Sequence, residues 1–158
     1  RGYSVMTRYW GDEEMTRQAI DGAGWMHTGD LAILDESGYC NIVGRLKDVV
    51  IRGGENIYPR EIEEFLYGHP KVQDVQVVGV PDPKYGEELC AWIIVRHGHS
   101  LAEHEILDFC RDQIAHYKVP RYIRFVTSFP MTVTDKIQKS VIREIMKKEL
   151  LLEDEAHA

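Results

Sequence analysis

Five residues in the sequence are of types that could bind an anionic or hydroxyl-rich ligand. Asp30 follows T-G, and its carboxylate is a pure hydrogen-bond acceptor that suits two neighbouring hydroxyls. Arg45 follows V-G and offers five N–H donors with a permanent charge. Lys136, in T-V-T-D-K-I-Q-K, is charged at neutral pH because the reference pKa of lysine is about 10.4. Gly53-Gly54 would let the backbone approach a ligand with no Cβ in the way.

Each of these residues also has an ordinary structural explanation. Asp30 could be a turn or cap residue, Arg45 a surface arginine at a strand end, and Lys136 a lysine at the start of the last helix. The glycine pair could form a tight hairpin turn. The sequence contains neither G-x-G-x-x-G nor G-x-x-x-x-G-K-[ST], so it predicts neither a Rossmann nor a Walker loop.

The first third of the chain predicts a short helix and a β-hairpin. W-G-D-E-E-M-T-R-Q-A-I-D has helical character, with Asp12 as a candidate N-cap. In G-D-L-A-I-L-D-E-S-G-Y-C-N-I-V-G-R, the apolar runs Leu31–Leu34 and Tyr39–Val43 flank a turn built from turn-forming residues. The composition changes after Arg45, which predicts a domain boundary dividing the chain into residues 1–46 and 47–158.

The remainder predicts an α+β fold, in which a small three-stranded sheet is covered by helices. D-V-V-I-R predicts a strand, Gly53-Gly54 a turn, and Pro59 the first turn of a helix to about Tyr67. V-Q-D-V-Q-V-V-G-V, L-C-A-W-I-I-V and Y-I-R-F-V predict the sheet strands. Ser100 and Glu103 have capping-box spacing and predict a helix to about Gln113. S-V-I-R-E-I-M-K-K-E-L-L predicts a last amphipathic helix.

Composition narrows the possible partners and compartment. The net charge of −7 gives no general attraction to nucleic acid or anionic lipid. Three cysteines without a C-x-x-C predict buried, inert thiols in a reducing compartment, which we take to be the cytoplasm. The histidines form no H-x-x-x-H pair, so we expect no zinc site. No apolar run approaches the roughly 20 residues of a membrane span. The chain begins Arg1-Gly2, which indicates a fragment or a processed chain.

Several motifs in order resemble those of one enzyme superfamily. GWMHTGDLAILDESGYCNIVGRLKDVVIRGGENIYPREIEEFL is similar to the late motifs of adenylate-forming acyl- and aryl-CoA synthetases, whose superfamily includes luciferase and peptide-synthetase adenylation domains. RGYSVMTRYW resembles the motif just before them, and TVTDKIQKSVIRE resembles the last. The resemblance runs from Gly2 to about Leu150. RGGENIYPREIE and KIQK look most like fatty-acyl-CoA ligases of the medium-chain type.

The resemblance implies a two-step reaction on small-molecule substrates. A fatty-acid carboxylate attacks the α-phosphorus of ATP and expels pyrophosphate, and the thiol of CoA then displaces AMP. ATP implies Mg²⁺, although no ligand for it is visible in the sequence. Residues 1–46 would end a large N-terminal domain, and residues 47–158 would form a lid that changes pose between the steps. Its protein partner would be its own N-terminal domain.

The resemblance also implies roles for individual residues. It places Asp30 on the ribose of the nucleotide, Arg45 near the ribose and phosphates, and Lys47 at the hinge. Lys136 would bridge the substrate carboxylate and the α-phosphate. The family usually has glycine before this lysine, whereas this chain has Asp135, which puts a negative charge beside the ammonium and leaves the adenylation rate in doubt.

For CoA, the resemblance implies a surface around the glycine pair. Gly53 and Gly54 would line the pantetheine tunnel in the thioester-forming pose. Tyr85 and Tyr117-Lys118 lie where some relatives contact CoA, because an aromatic ring can stack on adenine and a lysine can bind a phosphate. For these three residues a core or surface role is an equal alternative.

Two other functions remain open at this point. The same lobe could be a stand-alone module that binds CoA or a protein without catalysis, or it could be the adenylation tail of a peptide synthetase. The sequence does not reveal acyl-chain length, pathway or oligomeric state, and we expect the 158 residues alone to be inactive.

Overall fold

The computed structural model describes residues 1–156, with side chains up to residue 151. The chain divides into two compact units, Arg1–Lys47 and Asp48–Ala158. Among the described helices, none is both long enough and apolar enough to cross a bilayer.

The first unit contains one helix and one β-hairpin. Helix α1 (Glu13–Ala19) begins after Asp12, whose carboxylate accepts a hydrogen bond of 2.8 Å from the Met15 N–H, so the predicted N-cap is confirmed. Strands β1 (Asp30–Leu34) and β2 (Cys40–Arg45) pair antiparallel and confirm the predicted hairpin. No side chain among residues 1–47 is fully buried.

The second unit is a mixed sheet with helices on both faces. Its elements are β3 (Val50–Arg52), β4 (Glu55–Ile57), α2 (Pro59–Tyr67), β5 (Val72–Asp82), β6 (Gly86–Val95), α3 (Glu103–Cys110), β7 (Tyr122–Phe125) and α4 (Lys139–Ala156). Strand β6 pairs antiparallel with β5 and parallel with β7. The predicted α+β class is confirmed.

The predicted number of strands is wrong, since the sheet has five strands rather than three. The hairpin β3–β4 joins it through the pairing of Arg52 with Gly86. The Gly53 N–H also donates to the Tyr85 carbonyl at 2.9 Å. The backbone groups at this end of the hairpin therefore find partners at the turn between β5 and β6, a pairing that local sequence patterns do not encode.

Alternation along the strands builds two cores, one on each face of the sheet. On β6, Leu89, Ala91 and Ile93 pack with residues of α2 and α3, whereas Cys90 and Trp92 pack with residues of α4. Successive side chains on a strand point to opposite faces, which gives each helix layer its own apolar surface.

The predicted start of helix α3 is corrected. Helix α3 begins after Ala102, whose N–H donates to Glu105 at 2.9 Å, so the predicted Ser100–Glu103 capping box is wrong. A hydrogen bond from the Lys71 ammonium, followed by the Ala102 N–H, lowers the pKa of Glu105, and these two partners fix the start of the helix.

The prediction of buried cysteines holds for two of the three. Burial raises the pKa of Cys90 to about 12 and that of Cys110 to about 11, as expected for inert thiols. Cys40 is exposed, because it begins strand β2 in the two-stranded hairpin, where the residues from Cys40 to Ile42 are open to solvent.

A largely buried carboxylate links three elements of the second unit. Glu63 on α2 accepts a hydrogen bond of 2.8 Å from the Val77 N–H on β5 and forms an ion pair of 2.6 Å with Lys139 on α4. Its side chain is 12 % exposed and that of Lys139 is 20 % exposed, so removal of one partner would leave a charge poorly solvated.

We therefore expect Glu63→Ala to lower the free energy of unfolding by about 3 kcal/mol in urea denaturation. Glu64→Ala provides the matched control, because Glu64 pairs with Arg60 on an exposed helix surface. That change should cost about 0.5 kcal/mol or less. Equal losses in the two variants would contradict the role of Glu63.

Candidate functional site

The β-hairpin of the first unit brings Asp30 and Arg45 together. The strand register places them directly opposite each other, and the Arg45 Nε donates to the Asp30 carboxylate at 3.0 Å. The Thr28 hydroxyl accepts a hydrogen bond of 3.2 Å from the Asp30 N–H. Because Arg45 remains 57 % exposed, its other N–H groups are open to a ligand.

An open pocket of about 360 Å³ lies beside this pair and is lined by Thr28, Gly29, Arg45, Leu46 and Lys47. The guanidinium N–H groups of Arg45 and the carboxylate oxygens of the neighbouring Asp30 could together bind the anionic and hydroxyl groups of one ligand.

Lys47 lies in the middle of a single 3₁₀ turn, Leu46–Asp48, and its side chain is exposed. It is the last residue of the first compact unit. Because the Lys47 side chain is solvated, the backbone at this residue could change conformation without breaking a buried contact of that side chain. Its role as a hinge remains a prediction.

The glycine pair forms the two-residue turn of the β3–β4 hairpin. Gly53 has φ +58° and Gly54 has φ +92°, the left-handed values that a type I′ turn requires at both central residues. The hairpin explanation is therefore correct, and it leaves room for a ligand role. A Cβ on Gly54 would meet no atom within 4 Å, so internal packing does not demand a glycine there.

The fold places Tyr85 against this turn. A Cβ on Gly53 would lie 3.3 Å from Tyr85 Cδ1, and the Gly53 N–H donates to the Tyr85 carbonyl. Two cations that the sequence analysis missed flank the ring: Arg52 at 4.3 Å and Lys84 at 4.8 Å from its centroid. Arg52 precedes Gly53 and Lys84 precedes Tyr85 in the sequence. This adjacency to predicted site residues is the signal that could have identified them.

Arg52 is held in place by an almost fully buried carboxylate. Its guanidinium lies 2.8 Å from Glu88, whose side chain is 2 % exposed. The hydrogen bond from Arg52 to Glu88 raises the pKa of Arg52 despite partial burial. The Gly53-Gly54 turn, the Tyr85 ring and the Arg52 guanidinium together form one surface. This surface could bind a ligand that carries amide groups and an aromatic or anionic group.

Tyr117 and Lys118 have structural partners in the second unit. Both lie in the 3₁₀ turn His116–Lys118. Tyr117 is partly buried and packs against the core below α2, and the Lys118 ammonium pairs with Glu61 at 2.6 Å. Their role in CoA binding remains a prediction.

Lys136 lies on a tight hairpin that projects from the second core. Ile137 packs against that core, and residues Met131 and Ile137 form an isolated bridge. Helix α4 begins at Lys139, so the explanation of Lys136 as the first lysine of the helix is wrong. Lys139 is the paired, structural lysine. Lys136 is exposed, and among residues 1–151 its ammonium has no ion-pair partner.

Asp135 adopts the conformation that glycine usually supplies. Its φ is +57°, at the end of a three-residue hairpin loop, Val133–Asp135. Such loops combine a type I turn with a left-handed residue, and aspartate tolerates that region better than most residues. This local geometry explains how the chain accommodates Asp135.

The described residues contain no group of three or more metal-ligating side chains. Mg²⁺ that arrives with ATP usually takes only one or two carboxylates besides phosphate oxygens and water, so this cofactor remains a prediction and we assign no step to it.

Comparisons with known proteins agree with this geometry. Residues 61–136 match the family described as AMP-binding enzyme C-terminal domain. The chain is 59% identical over 144 residues to the putative acyl-CoA synthetase YngI of Bacillus subtilis, covering 91% of this chain and 26% of that protein. It is 54% identical to the mitochondrial medium-chain acyl-CoA ligase ACSF2 of Bos taurus, covering 96% and 25%. The chain thus spans about a quarter of the length of these relatives.

Solved structures also show a similar fold over most of this chain. ATP-bound MatB from Rhodopseudomonas palustris superposes with a TM-score of 0.87 at 37% identity, covering 93% of this chain and 29% of that one. A fatty acyl CoA synthetase from Mycobacterium tuberculosis has a TM-score of 0.68 at 40% identity, covering 92% and 28%.

Proposed function

Residues 61–136 of this chain are an AMP-binding enzyme C-terminal domain, and from that premise we propose that the chain is the C-terminal part of an ATP-dependent fatty-acid–CoA ligase of the medium-chain type. The observation that carries the proposal is the exposed Lys136 on its projecting hairpin, within the matched domain, with no ion-pair partner among residues 1–151. The Lys136 ammonium can therefore bind an anionic substrate without first breaking an ion pair within residues 1–151.

In the first step, the fatty-acid carboxylate attacks the α-phosphorus of ATP, and pyrophosphate leaves. We assign to Lys136 the task of bridging the carboxylate and the α-phosphate, where it orients the nucleophile and offsets the charge that grows on phosphorus. Asp30 accepts from the ribose hydroxyls, and Arg45 donates to ribose and phosphate oxygens. Their close pairing in the hairpin supports a shared nucleotide site.

In the second step, the CoA thiolate attacks the acyl carbonyl, and AMP leaves. We assign the pantetheine arm to the main chain at Gly53 and Gly54, with Tyr85 beside it. The open space at Gly54 supports this assignment. Tyr117 and Lys118 are further candidates for CoA contact.

We propose that residues 1–46 end the large adenylating domain and that residues 47–158 form the lid, with Lys47 as the hinge. The lack of any fully buried side chain in residues 1–47 supports this division. Side chains such as Trp10 (94 % exposed) and Leu34 (71 % exposed) need a larger domain to cover them.

The proposed location is the cytoplasm, in agreement with three free cysteines. The ACSF2 relatives are named as mitochondrial.

The activity can be tested on the full-length protein. With ATP, CoA and fatty acids of increasing chain length, we expect acyl-CoA, AMP and pyrophosphate as products. Residues 1–158 alone should show no ATP–pyrophosphate exchange, because their sequence contains no phosphate loop rich in Ser, Thr and Gly and we expect the acyl pocket in the large N-terminal domain. Robust exchange by these residues would contradict this assignment.

The same assay separates the alternatives. A stand-alone binding module would retain CoA without turnover even in the full-length protein. A peptide-synthetase tail would support exchange with amino acids and would be followed by a carrier domain.

We expect Asp135 to lower the rate of the first step, because it places a negative charge at the residue next to Lys136 in the chain. We expect Asp135→Asn to raise the rate of adenylate formation about fivefold, as removal of a nearby surface charge is worth of the order of 1 kcal/mol. Asp135→Gly is the matched variant that also restores a residue suited to positive φ. An increase in the glycine variant alone would assign the effect to the backbone, and no increase in either would contradict the role of the charge.

A further inference from the structure

The Lys136 hairpin is closed almost entirely by Thr132. The main-chain N–H of Thr132 donates to the Lys136 carbonyl at 2.8 Å, and its carbonyl accepts from the Asp135 N–H at 3.1 Å. The first bond sets the register of the hairpin, and the second closes a β-turn over Val133 and Thr134. Both depend only on the backbone and would survive a change of side chain.

The Thr132 hydroxyl adds bonds that only this side chain can make. Its Oγ1 accepts from the Lys136 N–H at 3.1 Å and from the Thr134 N–H at 3.3 Å. It also lies 3.0 Å from the Thr134 hydroxyl. A hydroxyl has two acceptor lone pairs and one donor. Either hydroxyl can be the donor in the contact between Thr132 and Thr134.

The hydroxyl therefore restrains the main chain of Lys136 itself, at the residue after the left-handed Asp135. Rotation at Lys136 would move the origin of its flexible side chain and the position of the ammonium. Residues 133–136 are exposed, and the Lys136 N–H is held by this hydroxyl, whereas the Lys136 carbonyl is held by the Thr132 N–H.

We propose that Thr132 is a positioning residue for adenylate formation, which acts by fixing the Lys136 peptide through its Oγ1. This inference rests on the role proposed above for Lys136. Because water can replace the bonds of an exposed hydroxyl, their loss should affect the geometry of the lysine more than the stability of the domain.

The test compares Thr132→Val with Thr132→Ser in the full-length ligase. Valine keeps the shape and removes the oxygen, whereas serine keeps the oxygen. We expect Thr132→Val to lower kcat of adenylate formation about tenfold, which corresponds to about 1.4 kcal/mol, with KM for ATP unchanged. Thr132→Ser should retain most of the activity. Thr127→Val is the matched control, because Thr127 is an exposed threonine outside the hairpin.

A double-mutant cycle with Lys136→Ala distinguishes positioning from a general structural effect. If Thr132 acts through Lys136, adding Thr132→Val to Lys136→Ala should cost nothing further. A further tenfold loss there, or an equal loss in thioester formation from supplied acyl-AMP, would overturn the inference. So would full activity of Thr132→Val beside a defective Lys136→Ala. An unaffected Lys136→Ala would instead overturn the proposed function on which the inference rests.

Discussion

Lys136→Ala in the full-length ligase is expected to lower the rate of adenylate formation by about 10²–10³, which is the usual effect of removing one preorganised donor to a developing charge. Thioester formation from supplied acyl-AMP should be spared, because the α-phosphate has already been attacked by then. ATP–pyrophosphate exchange measures the first step, and acyl-CoA formation from acyl-AMP measures the second.

The structure supplies a matched control for this lysine. Lys148 is also exposed and lies on α4, outside the hairpin. Lys148→Ala should leave both steps unchanged. Lys139 is unsuitable as a control, because its pairing with Glu63 makes its removal destabilising. Equal damage to both steps in Lys136→Ala would count against the proposed bridge.

The second large effect is expected at the glycine turn. Gly54→Leu should lower the rate of thioester formation by about 10² and leave adenylate formation within a few-fold of the original rate, since obstruction or small displacement of a bound reactant has effects of this size. The leucine side chain would extend into the open space beside Gly54 that we assign to pantetheine. Half-reactions measured separately, with CoA varied in the second, give the result.

Backbone strain must be separated from obstruction in this experiment. Gly54 has φ +92°, so any larger residue there is strained. Gly38→Leu is the control, because Gly38 has φ +85° and open space in the other hairpin turn. Its thioester step should be unaffected. If CoA kinetics are unchanged in Gly54→Leu, the tunnel assignment is wrong.

Features governed by neighbouring residues were predictable from the sequence. Pro59 at the first turn placed α2, and the turn formers between Leu34 and Tyr39 placed the first hairpin. Proline fixes φ, and turn residues act over about four positions, so both signals are local. The start of α3 was not predictable, because Lys71, on a distant segment, pairs with the Glu105 that caps it.

In the candidate site, too, some residues were identified from the sequence and others only from the fold. The motifs identified Asp30, Arg45 and Lys136, and the hairpin register then placed the first two in contact. The functional roles of these residues, of Lys47 and of the CoA-binding set remain predictions. Arg52 and Lys84 were missed, because their importance depends on a tyrosine ring that the fold delivers.

The sequence by itself determined that the helices form, though not where each begins, together with the turns of the two predicted hairpins and the residues capable of binding anions, because each is a matter of side-chain chemistry and short-range backbone preference. Only the tertiary structure decided that β3–β4 joins the main sheet, that Tyr85 lies against Gly53, and that Lys139 pairs with Glu63 while Lys136 has no ion-pair partner within residues 1–151. These outcomes depend on which distant groups can satisfy each other's hydrogen bonds and bury each other's surfaces once the chain is packed.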